Sequence, residues 1–384
     1  MVITVPSPTA SISPIIPRVV RTALTSSTFS GTFSLTVKSW LRLTSDPKGC
    51  VVKRCRQCVN DPKESLLAWW SSAKRPLPWR TTNDPWAILL SEIVLQQTQV
   101  VRGMMYWMLL IEAFPTPEAM AAATEDEVLM LWQGAGYYNR ARRLHSLTRT
   151  LDSSPLPKAA AELQQLPGIG PYTAAAVASI AHGEPIASVD GNVRRIISRI
   201  HEWSEPTAGQ IQTAANDLLD EGRPGDWNQA MMDLGAIVCT PRNPDCSACP
   251  LSQQCGGKFT PHSFPTPKSR RQVAESGIAL LIQSDDQLFL ERRSQGLLGG
   301  LWCPPIRLGI PSCKSILDEL GLSDHVTREV GKVTHIFSHR RWHLDVHFLT
   351  VSSTFSHPSG RWDDPLTASA TSLTNRLTSL IPLQ

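Results

Sequence analysis

The chain has 384 residues, 41% of them hydrophobic, and a formal net charge of +4. It is long enough for two domains with full cores, and it lacks any run of about eighteen uncharged apolar residues, which excludes a membrane-spanning helix. Residues 1–60 carry a net charge of +7 and leave −3 for the rest. A nucleic-acid site therefore has to be local, as at Arg140, Arg142 and Arg143 or at Arg194, Arg195 and Arg199, where a solvated helix face is the competing explanation.

Residues 1–62, rich in Ser, Thr and Pro and nearly free of acids, read as a disordered or mis-started tail, with an organellar transit segment as a third explanation. Cys55 and Cys58 form a lone CxxC there, incidental without a second pair at metal spacing. Order begins near Lys63 with the helical stripe Leu66, Leu67, Trp69 and Trp70. The loop RPLPWRTTNDPW, which contains Arg80, hands over to a helix with Asp84 as N-cap and Pro85 at its first position. That helix carries Leu89, Leu90, Ile93 and Val94, with Glu92 and Gln96 four apart on one face. Among such neighbours Glu92 is expected to be partly desolvated, which raises a carboxyl pKa. Taken alone, the position reads more often as a solvent-facing glutamate.

Helical patterns continue around Pro117 to Gln133 and Asn139 to Leu151. They are separated by GAGYY, a tight turn in which Tyr137 either presents its ring or packs inward. After Ala159 to Gln165 comes LPGIGPYT. Gly168 and Gly170 can adopt backbone angles closed to other residues, and Pro171 starts a helix whose free amides form an anion site suited to a phosphate. Helices follow at Tyr172 to His182, Val193 to Ile200 and Ala208 to Glu221. In VDGNV, Asp190 is placed to cap the third of these four helices. The stripe Val193, Ile196, Ile197, Ile200 is predicted inside, with Arg194, Arg195 and Arg199 outside.

Cys239, Cys246, Cys249 and Cys255, spaced 6-2-5, give four thiolates suited to a tetrahedral sulfur site, iron–sulfur or zinc. Such crowding does not look like a disulfide framework and points to a reducing compartment. Residues 256–276 read as a linker. Beyond it the periods become those of strands: GIALLIQ, a turn, LFLERR, the loop LLGGLWCPP, a helix near Ser312 to Leu320, strands flanking HRRW, and a last helix. The fold class is thus a mainly α region over 63–255 followed by an α/β domain over 277–384.

Together these motifs resemble the helix-hairpin-helix DNA glycosylases, specifically the MutY-type adenine DNA glycosylases, over nearly everything from residue 63. LPGIGPYT resembles the family hairpin, VDGNV its aspartate segment, SEIVLQQTQV its glutamate helix, and the 6-2-5 cysteines its 4Fe–4S loop. The C-terminal domain resembles a Nudix fold that lacks the carboxylates for Mg2+, so it is expected to serve recognition.

The resemblance implies an iron–sulfur cofactor and a monofunctional DNA N-glycosylase. The substrate would be double-stranded DNA with adenine opposite 8-oxoguanine or guanine. Glu92 would be the acid and Asp190 the stabiliser of an oxocarbenium ion, with Tyr172 and Asn192 orienting them. Gly168 and Gly170 would hold a phosphate, Gln96 and Tyr137 would wedge into the stack, and Arg80 and Asp233 would line the adenine pocket. Phe337, Ser338 and His339 would read 8-oxoguanine.

The related endonuclease III type, a glycosylase/lyase, has a Lys at the position of Tyr172, and a phenol cannot form an imine. Two other classes compete: a non-catalytic DNA damage-binding protein and a nucleotide-pool hydrolase. The protein is expected to be a monomer away from membranes: cytoplasmic and nucleoid-associated if bacterial, nuclear or organellar if eukaryotic.

Overall fold

The computed structural model describes residues 61–267, 272–293, 296–309, 312–337, 339–352, 355–358, 360–364 and 371–382. The tail with its CxxC lies outside them. Helix α1, Pro62–Ala73, is capped by the Asp61 carboxylate. Helix α2, Pro85–Leu95, starts on Asp84, which accepts hydrogen bonds from the amides of Trp86 and Ala87. Every residue from Trp86 to Val94 is buried, as expected for a helix that is apolar nearly all round. Around it pack α3, Val100–Ala113, and α8, Pro171–His182.

The segment read as helical over Pro117 to Gln133 is two helices, α4 (Pro117–Ala122) and α5 (Glu125–Leu131). Thr124 and Glu127 form a capping box at the head of the second, so Thr124 bonds to the chain after it and does not continue α4. Helix α6, Asn139–Leu151, and the short α7, Ala160–Leu163, complete this half. Its core joins Leu89, Leu90 and Ile93 to Trp107, Trp132, Leu144 and Val177.

A second core gathers Leu66, Trp70, Val193, Ile196, Ile197, Trp227 and Met231. It belongs to α1, α9 (Gly191–Ile200), α10 (Ala208–Asp217) and α11 (Pro224–Asp233). Helix α11 was not anticipated, although Pro224 at its first turn and the spacing Trp227, Ala230, Met231 carry the signal. Glu92 thus stands on a helix of the first core and Asp190 at the head of a helix of the second.

Among its described residues the C-terminal domain forms a mixed seven-stranded sheet. Its strands are β1 (Val273–Ser284), β2 (Gln287–Arg292), β3 (Trp302–Cys303), β4 (Ile306–Leu308), β5 (Arg328–Ile336), β6 (Arg340–Thr350) and β7 (Gly360–Asp363). The main path runs β3-β2-β1-β6-β5, with β4 on β1 and β7 on β2. Strands β1 and β6 are parallel from Val273 opposite Arg340 to Gln283 opposite Thr350. Residues of β1 alternate between two apolar layers, Ala279 and Leu281 on one face and Ile278, Leu280 and Ile282 on the other. Helix α13, Ser372–Thr378, covers the first and α12, Cys313–Glu319, the second. Strand β1 begins inside the expected linker, whose earlier part, Gly256–Phe259 and Pro261–Ser263, packs in short turns beside α9.

Candidate active site

Glu92 is only 6% exposed. The Tyr172 hydroxyl, at the second position of α8, donates to Glu92 Oε2 at 2.6 Å. Burial pushes the Glu92 carboxyl up to about 7; the bond from Tyr172 pulls down, the Asp190 charge pushes up further, and Arg80 pulls down. Burial likewise raises the Tyr172 phenol well above its ordinary value, with the Glu92 and Asp190 charges adding to it.

Asp190 caps α9, Oδ1 accepting from the Val193 amide at 2.7 Å and Oδ2 from Asn192 Nδ2 at 2.8 Å. Burial raises its carboxyl above the usual range even against those bonds. The two acids therefore repel each other across a largely buried centre, and the Tyr172 phenol bonds to Glu92. Asn192 Oδ1 accepts from Arg195 Nη2 at 2.9 Å, and Arg195 also donates to the carbonyls of Gly235 and Cys239, each at 2.8 Å. Arg195 and Arg194, expected outside, are both half-buried and spent on carbonyls; Arg194 holds Pro206 O at 2.7 Å.

Arg80 and Asp233 do meet, but inside an ion-pair network. Asp233 is fully buried and accepts from Arg80 at 2.7 and 3.0 Å, Arg75 Nε at 2.7 Å and Trp70 Nε1 at 3.0 Å. Burial alone would raise this carboxyl, yet the two guanidiniums hold it below the usual range.

The DNA-facing candidates gather around the C-terminal end of α2. Gln96 ends that helix and donates to Thr173 Oγ1 at 3.3 Å. Tyr137 has φ +50° and is 42% exposed, so its ring is presented and not packed away. The Arg140 guanidinium lies 5.6 Å from that ring and donates to the carbonyls of Ile93, Val94 and Gln96 at 2.7, 3.0 and 2.5 Å, capping α2. Gly168 has φ +83°, and the amides of Gly168 and Gly170 bond to no described residue. A cleft of about 520 Å³ brings together Gln96, Tyr137, Gly168, Phe337 and His339. Phe337 is wedged edge-on between His335 at 4.6 Å and Trp342 at 4.8 Å. Ser338 lies outside the described residues.

The four cysteines sit half-buried in the loop after α11. Among the described residues no three ligand side chains close on a single-ion site, so their fit to a metal group rests on chemistry. Burial raises the thiols of Cys246, Cys249 and Cys255, and each feels the charge of Cys239. Four such sulfurs become thiolates together only around a compensating cationic group.

Arg199, expected on the outer face of α9, is 3% exposed. It donates to Cys239 Sγ at 3.2 Å, Thr240 O at 2.9 Å and Pro261 O at 2.8 Å. The stripe rule placed it outside because a charge needs partners, and this loop supplies them as carbonyls and a sulfur.

Residues 90–221 match the HhH-GPD superfamily of base excision DNA repair proteins. Residues 239–255 match the iron-sulfur binding domain of endonuclease III, and 277–376 the NUDIX domain. The four cysteines are thus an iron–sulfur site. The chain is 33% identical to the adenine DNA glycosylase of Homo sapiens over 377 residues, 78% of this chain and 69% of that protein. It is 42% identical over 215 residues to the adenine DNA glycosylase of Mycolicibacterium smegmatis, 54% of this chain and 72% of that one. Among solved structures, a thermostable thymine-DNA glycosylase superposes with a TM-score of 0.50 at 29% identity, covering 53% of this chain and 97% of that one.

Proposed function

Since the chain belongs to the adenine DNA glycosylases of base excision repair, we propose that it is a monofunctional enzyme that removes adenine paired with 8-oxoguanine or guanine from double-stranded DNA. The observation that carries this reading is the buried Glu92, bonded to Tyr172 and facing Asp190.

Adenine leaves more readily when N7 is protonated and the sugar becomes cation-like. A carboxyl with its pKa near neutrality is poised to give that proton, and a proton donor contributes about a hundred- to ten-thousand-fold. Asp190, fixed at the head of α9 by the Val193 amide and Asn192, faces the sugar and stabilises the oxocarbenium ion, as the second acid does in glycoside hydrolysis. Asn192 holds Asp190, and Tyr172 holds Glu92. With Tyr172 at the hairpin position where the lyase type has its amine, the Schiff-base route to strand cleavage is absent.

The base reaches this centre by leaving the stack. The free amides of Gly168 and Gly170 take a phosphate of the kinked strand, while Gln96 and Tyr137 fill the gap. Arg80 and Asp233 shape the adenine pocket as a rigid pair. Phe337 and His339, on the far wall of the cleft, together with Ser338 between them in sequence, select the opposite base, since adenine itself is undamaged. Cys239, Cys246, Cys249 and Cys255 would hold the iron–sulfur cluster, a structural group that would tie together the loop after α11.

The test uses duplexes with adenine opposite 8-oxoguanine and opposite thymine, assayed for breaks before and after alkali. Base loss opposite the lesion alone, with breaks appearing mainly after alkali, is expected. Breaks of equal yield without alkali would instead favour the glycosylase/lyase reading.

A further inference from the structure

Helix α6 opens with Asn139, Arg140, Ala141, Arg142 and Arg143, and its arginines serve three different parts of the molecule. Arg140 caps α2 and stacks under Tyr137. Arg143 supports the hairpin, for a Cβ at Gly168 would lie 2.6 Å from its own Cβ. Arg142 turns to the C-terminal domain, where Nη1 donates to Gly299 O.

Around that contact the two domains share a compact set of polar groups. Arg142 Nε donates to Glu125 Oε1 at 3.1 Å. Arg292, on β2, reaches the same oxygen at 3.2 Å and donates to Gly300 O at 3.2 Å. One arginine from each domain thus holds one of two adjacent glycine carbonyls, and both meet on one carboxylate of α5. The loop is tight, with positive φ at Gly296, Leu298 and Gly300. Its last residue, Leu301, is 2% exposed in the core of the helical domain, and Leu298 packs against the cores of both domains. Apolar burial supplies adhesion without direction, whereas guanidinium forks fix orientation.

From the loop, contacts run on toward the cleft. Arg293 Nε donates to Leu297 O at 3.2 Å, and its guanidinium lies 5.3 Å from the Trp342 ring, against which Phe337 packs.

We propose that Arg142 is a positioning residue for target selection. It fixes the Gly296–Leu301 loop, and with it the sheet edge bearing Phe337 and His339, in register with the Tyr137 wedge just ahead of α6 and the Gly168 hairpin packed against Arg143 of that helix. This rests on the reading that the C-terminal domain senses the opposite base. The residue touches neither the adenine nor the acids, so it acts on discrimination and leaves the chemical step alone.

The test compares the full-length protein with Arg142→Gln and Arg142→Lys. Hydrogen exchange of the free protein reads the loop; single-turnover excision at saturating enzyme, opposite 8-oxoguanine and opposite guanine, reads the choice. Arg142→Gln is expected to speed exchange over 296–301 and not over α2. It is also expected to reduce the preference for 8-oxoguanine by about tenfold, within the range of coupling carried by intermediary residues. Arg142→Lys, which keeps one donor, recovers part of both.

Unchanged loop exchange overturns the proposal, and so does an equal fall in both excision rates accompanied by faster exchange over α2, the mark of a merely structural residue. Equal wild-type rates opposite the two bases would sink the lesion reading itself, and the exchange result would still decide whether Arg142 holds the loop.

Discussion

Two buried acids of the helical domain, Glu92 and Asp233, have opposite surroundings. Asp233 is met by two guanidiniums and an indole N–H, and its carboxyl is held below the usual range. Glu92 is met by a phenol, and its carboxyl is pushed up to about 7. Burial is common to both, so the partner decides. A fully paired acid is committed to holding structure, while an acid given only a neutral donor keeps a proton it can deliver.

The largest expected effect is on chemistry. Glu92→Gln keeps the shape and removes the proton, so single-turnover adenine release should fall by about a hundred- to ten-thousand-fold while duplex binding persists. Near wild-type excision would refute the assignment. Asp233→Asn is the converse probe: it strands Arg75 and Arg80 beside a buried neutral group and should cost about 3–5 kcal/mol in denaturant unfolding. A loss under about 1 kcal/mol would show the network to be dispensable.

Glu92→Gln should also stabilise the fold. Its folded pKa lies above its unfolded value, so the wild-type protein loses stability as pH rises through that window and pays in full above about 7. The variant should therefore gain up to about 3 kcal/mol there and little at acid pH. A gain that does not grow with pH would break the contrast between the two acids.

A smaller effect follows from the same acid in the free enzyme. The rate at limiting substrate should fall by about tenfold per pH unit above about 7. Tyr172→Phe removes a bond that favours the ionised form of Glu92, so it should move that limb upward, with a stability change of about 1 kcal/mol. A limb that stays in place would mean that Tyr172 orients Glu92 without tuning it.

Much of the site was legible in linear form. The hairpin glycines, the Asp190 cap, the 6-2-5 cysteines and the Glu92–Gln96 spacing are local patterns, and local patterns survive without the fold. Less visible was the second role of arginine. Arg199 was assigned to the outer face by its helical phase, yet the cysteine loop folds over it. Helix α11 escaped because it follows closely on α10 and precedes the cysteines, although it carries Asp233. Arg140 and Arg142 looked like a charge cluster, and their partners lie on other helices and in the other domain.

The sequence by itself determined the family, the order of the helical and α/β regions and the cluster-binding cysteines, and it singled out both acids as candidates, because each depends on residue type at short spacing. The tertiary structure alone decided which acid is dry and unpaired, which arginines are interior, and how the C-terminal loop is pinned to α6. Those are properties of environment, since desolvation and pairing depend on groups far apart in the chain that meet only when both cores have closed.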